Sequence, residues 1–207
     1  MKTLLAFFAM TTIAATAAEG WQPLFNGKDL EGWKANEKPE TFSVSGGVLI
    51  VKGDRSHLFY VGKGGEKPNF KNFELRLEIL TKPNSNSGVY IHTEYQPDGW
   101  PGKGYEIQVN NTYAKDPKKT AGVYGIKDNM TAPVGDNEWF TMLITVKGRQ
   151  ITTKVNDKVI SEWTEPEGWE PPKNFAGRKL GGGTIAIQGH DPGSEVHYRK
   201  IEIKQLP

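Results

Sequence analysis

One short segment brings together side chains that suit binding, or acting on, a hydroxyl-rich molecule. In Gly104–Asn111, the residues Glu106, Gln108 and Asn110 alternate with apolar residues. This period of two is typical of a strand with one face on an apolar core. The other face would carry a carboxylate and two carboxamides in a row. Such a row suits the floor of a groove that hydrogen-bonds a polyol, although an edge strand with polar residues facing water would show the same pattern.

The segment holds only one carboxylate, whereas many glycosidases need two. Endo-glucanases built on β-sandwiches resemble one another in a strand motif of Glu, a hydrophobic residue, Asp, and a second Glu a few residues later. Retaining glycosidases place their two carboxyl groups about 5 Å apart, one as nucleophile and one as acid. Here Gln108 follows Glu106, and a carboxamide can serve in neither role. The pattern therefore counts against a two-carboxylate mechanism, unless a distant loop supplies the second group.

The elements that must position this segment are predicted from the same alternation. Phe73–Ile79 alternates apolar and charged residues and is the clearest amphipathic strand. Turn residues such as Asn156-Asp157 separate further short strands, and no long stretch has a helical period. We therefore predict an all-β, antiparallel jelly-roll sandwich. The residues predicted to lie inside it are Phe73, Leu75, Leu77, Ile107, Ile144, Val146, Ile185 and Ile187. A Pro- and Gly-rich stretch, Glu165–Gly183, is predicted to be a long loop, and such loops are usually functional or mobile.

The amino terminus has the pattern of a secretory signal peptide. Lys2 precedes the apolar run Leu4–Ile13, and Ala15-Thr16-Ala17 fits the small-x-small cleavage pattern, as does Thr16-Ala17-Ala18 one residue later. The run is short for a membrane span. We predict a signal peptide over residues 1–18, one domain over residues 19–207, and a periplasmic or secreted location.

Composition narrows the classes of partner and cofactor. The 207 residues carry a formal net charge of only +2, without a Lys/Arg block, which gives no support to nucleic-acid or membrane-surface binding. The absence of cysteine excludes disulfides and thiolate sites. His92 with Glu94, and His190 with Asp191, do not extend to a set of three or four metal ligands. We therefore predict no cofactor and no metal, although a Ca²⁺ held by loop oxygens would leave no recognisable pattern.

Several segments together resemble the 3-keto-disaccharide hydrolase domain family. They are Leu24-Phe25-Asn26-Gly27-Lys28-Asp29-Leu30 with Gly32-Trp33, Phe73-Glu74-Leu75-Arg76-Leu77-Glu78, Asn86-Ser87-Gly88-Val89-Tyr90, Tyr105-Glu106-Ile107-Gln108, Gly122-Val123-Tyr124-Gly125, Glu138-Trp139, Ile187-Gln188-Gly189-His190 and Tyr198-Arg199-Lys200-Ile201. They follow that family's order and cover nearly the whole chain after the signal peptide. The resemblance implies a concanavalin-A-like sandwich. It also implies hydrolysis or eliminative cleavage of sugars oxidised to a ketone at carbon 3.

This chemistry requires only one carboxylate. A ketone at carbon 3 acidifies the hydrogen on carbon 2, so that a base can form an enolate and the group on carbon 1 can leave. Glu106 is the predicted base, His190 the acid or second base, and Arg199 a donor to the carbonyl. The predicted substrate-binding residues are Asn86, Tyr90, His92, Gln108, Tyr124 and Gln188.

Each assignment has a structural alternative. Glu106 would more often be solvated or ion-paired, and Gly189–Gly193 could be a simple turn in which His190 caps a carbonyl. Arg199 could be a surface residue opposite Glu195 or Glu202. Trp33, Tyr90, Trp100 and Tyr124 could stack on sugar rings, but aromatic residues in a sandwich often belong to the core.

The leading hypothesis is an exported enzyme that cleaves 3-keto-glycosides, with a small-molecule saccharide as its substrate. A two-carboxylate glycoside hydrolase on the same fold is the first alternative. A non-catalytic carbohydrate-binding module is the second, because one fold hosts many functions. The sequence determines neither the sugar, the linkage nor the oligomeric state.

Overall fold

The computed structural model describes residues 20–65 and 67–207, so the predicted signal peptide, residues 1–18, lies outside the described residues. The strands are β1 (Gln22–Pro23), β2 (Trp33–Ala35), β3 (Phe42–Ser45), β4 (Val48–Lys52), β5 (Ser56–Tyr60), β6 (Phe73–Thr81), β7 (Ser87–Thr93), β8 (Tyr105–Val109), β9 (Lys119–Val123), β10 (Lys127–Asn129), β11 (Phe140–Lys147), β12 (Gln150–Val155), β13 (Lys158–Thr164), β14 (Thr184–Gly189) and β15 (Glu195–Gln205). Short 3₁₀ helices lie at Pro39–Thr41 and Lys173–Phe175. No helix in the described part of the chain is long and apolar enough to cross a membrane.

The strands form two antiparallel sheets. The first sheet has the order β13-β12-β11-β6-β15-β4-β3, with β1 paired to β15. The second has the order β10-β9-β8-β7-β14-β5-β2. This arrangement confirms the predicted antiparallel sandwich.

The core lies between the sheets because the strands alternate as the sequence predicts. All eight residues predicted to lie inside are fully buried. On β6, Leu75 and Leu77 point inward, whereas Arg76 and Glu78 point outward and pair with charged residues of β15. Burial of apolar side chains on both inner faces is what joins the two sheets.

Tight turns hold the hairpins in register. Asn156 and Asp157 both have positive φ, at 46° and 67°, as a two-residue hairpin turn between β12 and β13 requires. This turn lies where the sequence predicts it.

The second sheet differs from the first because loops cover its outward face. On β8, Tyr105, Ile107 and Val109 belong to the core. Glu106 and Gln108 point the other way and are nevertheless buried. The predicted long loop between β13 and β14 supplies part of the cover, and it includes the second 3₁₀ helix.

Candidate active site

A cavity of about 530 Å³ lies on the outward face of the second sheet. Three adjacent strands supply its polar floor through Tyr90 of β7, Glu106 of β8 and Gln188 of β14. Trp100 and its neighbours form one wall, residues 173–178 form another, and Tyr124 and His190 complete the lining. The structure thus brings together residues that lie more than 80 positions apart in the chain.

Glu106 is held by two donors at the bottom of this cavity. Gln188 Nε2 donates to Glu106 Oε1 at 2.8 Å, and Arg178 Nη2 donates to Glu106 Oε2 at 3.2 Å. Gln188 Nε2 also lies 3.3 Å from Tyr90 Oη. Because each carboxylate oxygen has a donor, the orientation of the group is fixed before any substrate arrives.

A glycine on the strand next to Glu106 makes room for the Glu106 carboxylate. Gly88 lies on the neighbouring strand β7, and a Cβ atom there would lie only 2.5 Å from Glu106 Oε1. Any other residue would therefore displace the carboxylate. Gly88 has ordinary strand geometry without a positive φ, so space is the reason for this glycine.

Arg178 lines the cavity and pairs with Glu106, and sequence reasoning missed it. It lies in the long loop after β13, and its side chain is buried beside Tyr90 and Phe175, with ring centroids 5.6 and 5.2 Å from its guanidinium carbon. The only sequence signal was a cation that shares a Pro- and Gly-rich loop with two others, Lys173 and Lys179. Nothing in the sequence indicates that this cation reaches Glu106.

The loop is fixed to the sheet by its own polar contacts. Glu165 Oε2 accepts hydrogen bonds from Tyr105 Oη at 2.7 Å and from the backbone N–H of Leu180 at 2.8 Å. Trp169 Nε1 donates to the carbonyl of Arg178 at 2.8 Å. At Gly177, a Cβ atom would lie 1.6 Å from the carbonyl oxygen of Gly102, so this close approach requires glycine. These contacts hold the loop in a position that places Arg178 in the lining of the cavity.

Burial and charge act in opposite directions on Glu106. Burial raises the pKa of the Glu106 carboxyl, while the Arg178 guanidinium, the Tyr90 hydroxyl and the Gln188 amide partly offset that rise. Burial likewise raises the pKa of Tyr90 well above its ordinary value, so Tyr90 remains a phenol. A carboxylate with a raised pKa is a stronger base than an exposed one.

His190 faces the cavity and is oriented by its neighbour Asp191. His190 Nδ1 lies 2.6 Å from Asp191 Oδ2, which also accepts from Ser194 Oγ at 3.0 Å. Burial alone would raise the pKa of Asp191, but hydrogen bonds from His190 and Ser194 outweigh it and lower that pKa. Asp191 is therefore a carboxylate that accepts from Nδ1, which leaves His190 Nε2 for other partners. The predicted turn is also present, because the N–H of Gly193 donates to Asp191.

Among the candidate aromatic residues, three line the cavity. Tyr90 and Trp100 belong to its floor and wall, and Tyr124 is held by a hydrogen bond from its hydroxyl to Asp116 Oδ2 at 3.0 Å. Trp33 is different, since it packs in the core and donates through Nε1 to the carbonyl of Leu24.

The prediction that Arg199 shares a groove with Glu106 is wrong. Arg199 lies on β15 of the other sheet, where it is half-exposed, ion-paired to Glu78 and 4.4 Å from the Trp139 ring centroid. The strand places its side chain on the solvent face of the first sheet. Its partner is neither Glu195 nor Glu202.

The structure does not bring His92 to the cavity. His92 Nε2 lies 2.8 Å from the carbonyl oxygen of Lys71, and Nδ1 accepts the N–H of Gly181 at 3.3 Å. Its ring also packs edge-on against Phe73 at 5.7 Å. Burial lowers the pKa of His92, so its ring is neutral. The ring connects the segments that contain Lys71 and Gly181. The predicted contact of His92 with substrate is therefore wrong.

None of the four remaining polar residues, Asn86, Gln108, Asn110 and Asn111, lines the cavity. Gln108 lies two residues after Glu106 on β8, Asn86 immediately precedes β7, and both are buried. Asn110 instead closes its own turn by donating to the carbonyls of Asp116 and Lys118. Asn111 donates to Thr81 Oγ1. The predicted polar row therefore ends at Gln108.

The donor set of the cavity limits its chemistry. Among the described residues that line it, Glu106 is the only carboxylic acid. Within residues 20–65 and 67–207, no three His, Cys, Asp or Glu side chains are grouped so as to hold a metal ion. The lining offers one buried base, a neighbouring cation, neutral donors and an oriented imidazole.

Comparison with known proteins agrees with this description. The model of the 3-keto-alpha-glucoside-1,2-lyase-like domain matches residues 20–204. A 3-keto-disaccharide hydrolase of Bacteroides thetaiotaomicron is 25% identical over 237 aligned positions, covering 91% of this chain and 79% of the relative. These names indicate a carbohydrate-active enzyme.

Solved structures show the same fold. A Parabacteroides distasonis protein, provisionally named a glycosyl hydrolase, superposes with a TM-score of 0.77 at 24% identity, covering 91% of this chain and 95% of that one. A second from the same organism, with the same provisional name, gives 0.69 at 29% identity, covering 90% and 99%. The carbohydrate-binding module CBM66 of Bacillus subtilis gives 0.60 at 11% identity, covering 84% and 96%, and shares the fold alone. By the match over residues 20–204, the chain belongs to the 3-keto-alpha-glucoside-1,2-lyase-like domain family.

Proposed function

We propose that this protein cleaves 3-keto-glycosides by elimination followed by hydration. The observation that carries the proposal is the pairing of a single cavity carboxylate, Glu106, with Arg178. A retaining glycosidase would need a second carboxyl group about 5 Å away, and the described lining holds none. A ketone beside carbon 2 removes that need, since one base is then enough.

In the first step, Glu106 takes the proton from carbon 2 and the electron pair forms an enolate at carbons 2 and 3. Arg178, at 3.2 Å from Glu106, is the nearest cation to the negative charge that moves from the carboxylate to the enolate oxygen. Gln188 keeps the carboxylate in place through its bond to Oε1. The enolate is thus formed beside fixed donors.

In the second step, the enolate electrons form the double bond between carbons 1 and 2, and the bond from carbon 1 to the leaving oxygen breaks. His190 supplies the proton that this oxygen needs, since Asp191 orients the ring through Nδ1 and His190 lines the cavity. Water then adds its oxygen to carbon 1 and a proton to carbon 2. The products are the free 3-keto sugar and the alcohol, so the sum is a hydrolysis.

The test is incubation of the protein with a methyl glucoside and with its 3-keto derivative. Cleavage of the keto form alone, with deuterium from D₂O appearing at carbon 2, is the expected result. Cleavage of both forms would indicate a two-carboxylate hydrolase. Binding of either form without turnover would indicate a binding module, and both outcomes would refute the proposal.

We further propose that the protein acts outside the cytoplasm. Lys2, the apolar run Leu4–Ile13 and the small residues after it support export. The intact mass of protein isolated from its native host should correspond to a chain that begins at Ala18 or Glu19. Protein that retains Met1 to Ala15 would refute this.

A further inference from the structure

Tyr90 lies directly beside Glu106 on the floor of the cavity. The two residues are paired across the neighbouring strands β7 and β8, and both line the cavity. Residues paired in this way project from the same face of a sheet, with Cβ atoms about 5 Å apart. A ligand held against the Glu106 carboxylate would therefore also meet the Tyr90 side chain.

The Tyr90 ring is held in place from several sides. It is almost fully buried and packs with Phe59 of β5 and Ala186 of β14. The His57 ring meets it edge-on, with centroids 5.4 Å apart, and the Arg178 guanidinium carbon lies 5.6 Å from its centroid. Close packing of this kind fixes the position of the phenolic oxygen. What remains adjustable is the direction of the hydroxyl hydrogen.

Tyr90 differs from the other two donors around Glu106 in this freedom. Gln188 Nε2 donates both to Glu106 Oε1 at 2.8 Å and to Tyr90 Oη at 3.3 Å. The amide hydrogens of Gln188 and the guanidinium hydrogens of Arg178 lie in rigid planes, whereas a hydroxyl hydrogen rotates about its C–O bond. Of these three donors, Tyr90 is the one that can change its acceptor without moving a heavy atom.

The negative charge beside Tyr90 moves when the proton of carbon 2 is removed. At rest, the Tyr90 hydroxyl lowers the pKa of the Glu106 carboxyl, as a donor close to a carboxylate does. Once Glu106 has taken the proton it is neutral, and the charge lies on the oxygen at carbon 3, the atom next to carbon 2. An enolate is more basic than a carboxylate and forms the stronger hydrogen bond. A donor that follows the charge therefore stabilises the transition state more than the resting enzyme.

We propose that Tyr90 is a catalytic residue that donates a hydrogen bond to the oxygen at carbon 3 as the enolate forms. This inference rests on the proposed function: Glu106 removes the proton, Arg178 supplies positive charge, and Tyr90 supplies a donor that turns toward the new anion. No proton leaves Tyr90, because burial raises its pKa well above the ordinary value. The phenol keeps its hydrogen while the enolate electrons move on to form the double bond between carbons 1 and 2.

The test measures enolate formation separately from cleavage. The 3-keto derivative of 1,5-anhydroglucitol has no leaving group outside the ring at carbon 1, so exchange of its carbon 2 hydrogen in D₂O, followed by NMR, reports the first step. Tyr90→Phe keeps the ring and loses the hydroxyl, and exchange should slow by about 10²-fold, as on removal of one donor to an oxyanion. The affinity for the same compound, measured by calorimetry, should fall far less. A purely structural role would not separate rate from affinity in this way.

Tyr95→Phe is the matched control. Tyr95 is a partly buried tyrosine that packs against the same apolar cluster as Tyr90, and it does not line the cavity. Its exchange rate should equal that of the wild type. Wild-type exchange in Tyr90→Phe would overturn the role of Tyr90 and leave the proposed function intact. Equal losses of rate and affinity would also overturn it, since the hydroxyl would then serve the ketone as much as the enolate.

A second substitution covers the case in which denaturant melts show that Tyr90→Phe does not fold. Tyr90→3-fluorotyrosine keeps nearly the same size, and its more acidic phenol is a stronger donor. Because the enolate is the more basic acceptor, exchange should then be faster than in the wild type, and an unchanged or slower rate would overturn the role. A wild type that neither cleaves methyl 3-keto-glucoside nor exchanges the carbon 2 hydrogen would refute the proposed function and this inference together.

Discussion

Two arginine–glutamate pairs lie on the outward faces of the two sheets, and their surroundings differ. Glu106 and Arg178 are both buried, with side-chain exposures of 7% each. Glu78 and Arg199 are at 21% and 47%, and Lys200 also pairs with Glu78. The first pair has neutral amides and aromatic rings around it, whereas the second lies among exposed charges. The same two residue types therefore form a candidate catalytic pair on one face and a solvated ion pair on the other.

Loops that cover the second sheet account for the different exposure of the two arginine–glutamate pairs. The segment carrying Trp100 and the loop carrying Arg178 pass over the second sheet and enclose a cavity, while Glu78, Arg199 and Lys200 on the other sheet remain partly exposed. Surface ion pairs contribute about 0–1 kcal/mol to stability because water and salt screen them. Within the cavity, charges act in a less polar medium and are stronger. The loops that cover the second sheet, and not the arginine–glutamate pair itself, therefore distinguish the candidate site from the surface ion pair.

The largest effect is expected from removing the base. Glu106→Gln keeps the shape of the side chain but cannot accept the carbon 2 proton, so kcat should fall by about 10²- to 10⁴-fold, the usual contribution of a general base. Exchange of the carbon 2 hydrogen with solvent should stop, as followed by NMR in D₂O. Glu78→Gln, the matched change on the open face, should leave both rates unchanged. Wild-type exchange in Glu106→Gln would assign the base elsewhere, with His190 the first candidate.

The two faces of a single strand offer a second test. Leu75 of β6 is fully buried between the sheets, whereas its neighbour Glu74 lies on the outward face. Leu75→Ala should lower the free energy of unfolding by about 2–5 kcal/mol. Glu74→Ala should change it by no more than about 0.5 kcal/mol. Denaturant melts measure both, and a loss well under 1 kcal/mol for Leu75→Ala would contradict the burial described here.

The pH dependence of activity should distinguish the effect of Arg178 from that of Arg199. Because Glu106 must be ionised to act, and burial raises its pKa, kcat/KM should rise with pH along a limb that lies above the ordinary range of a glutamate. Arg178 lowers that pKa, so Arg178→Met should move the limb to higher pH. It should also reduce kcat by about 10²-fold through loss of enolate stabilisation. Arg199→Met should leave the profile in place, and an unmoved limb in Arg178→Met would show that the cation does not act on Glu106.

The sandwich could be predicted because its signal is local. Alternation along β6 and β8 is enough to identify which side chains face the core, and Asn156-Asp157 is enough to identify a hairpin turn. Alternation also placed Glu106 on an outward face. It cannot say which sheet a distant strand joins. The role of Arg199 beside Glu106 was taken from the family resemblance, whereas β15 belongs to the first sheet and β8 to the second.

The rest of the site depends on contacts between distant segments. Arg178 is 72 positions from Glu106, and its approach requires the loop anchored by Glu165 and Trp169. Asn110 looked like a member of the polar row, but the following turn uses its side chain. His57 gave no signal at all, since a lone histidine in a short strand has no pattern that marks it as buried.

The smallest effect is expected from His57, and it tests whether the covered face excludes water from this buried side chain. Its pKa is about 3 in the folded protein, against an ordinary value of 6.5. Below pH 6.5 the unfolded chain therefore binds a proton that the folded protein does not, and stability is lost as pH falls from 6.5 toward 3. His57→Phe lacks this linkage but keeps a ring beside Tyr90 and Trp100. Between pH 8 and pH 5, the stability of the wild type relative to His57→Phe should fall by about 2 kcal/mol, at about 1.4 kcal/mol per pH unit. At pH 8 the histidine is neutral in both states, so melts there provide the reference. A difference that does not change with pH would mean that water reaches His57, and the contrast between the covered face and the open face would then be weaker at β5.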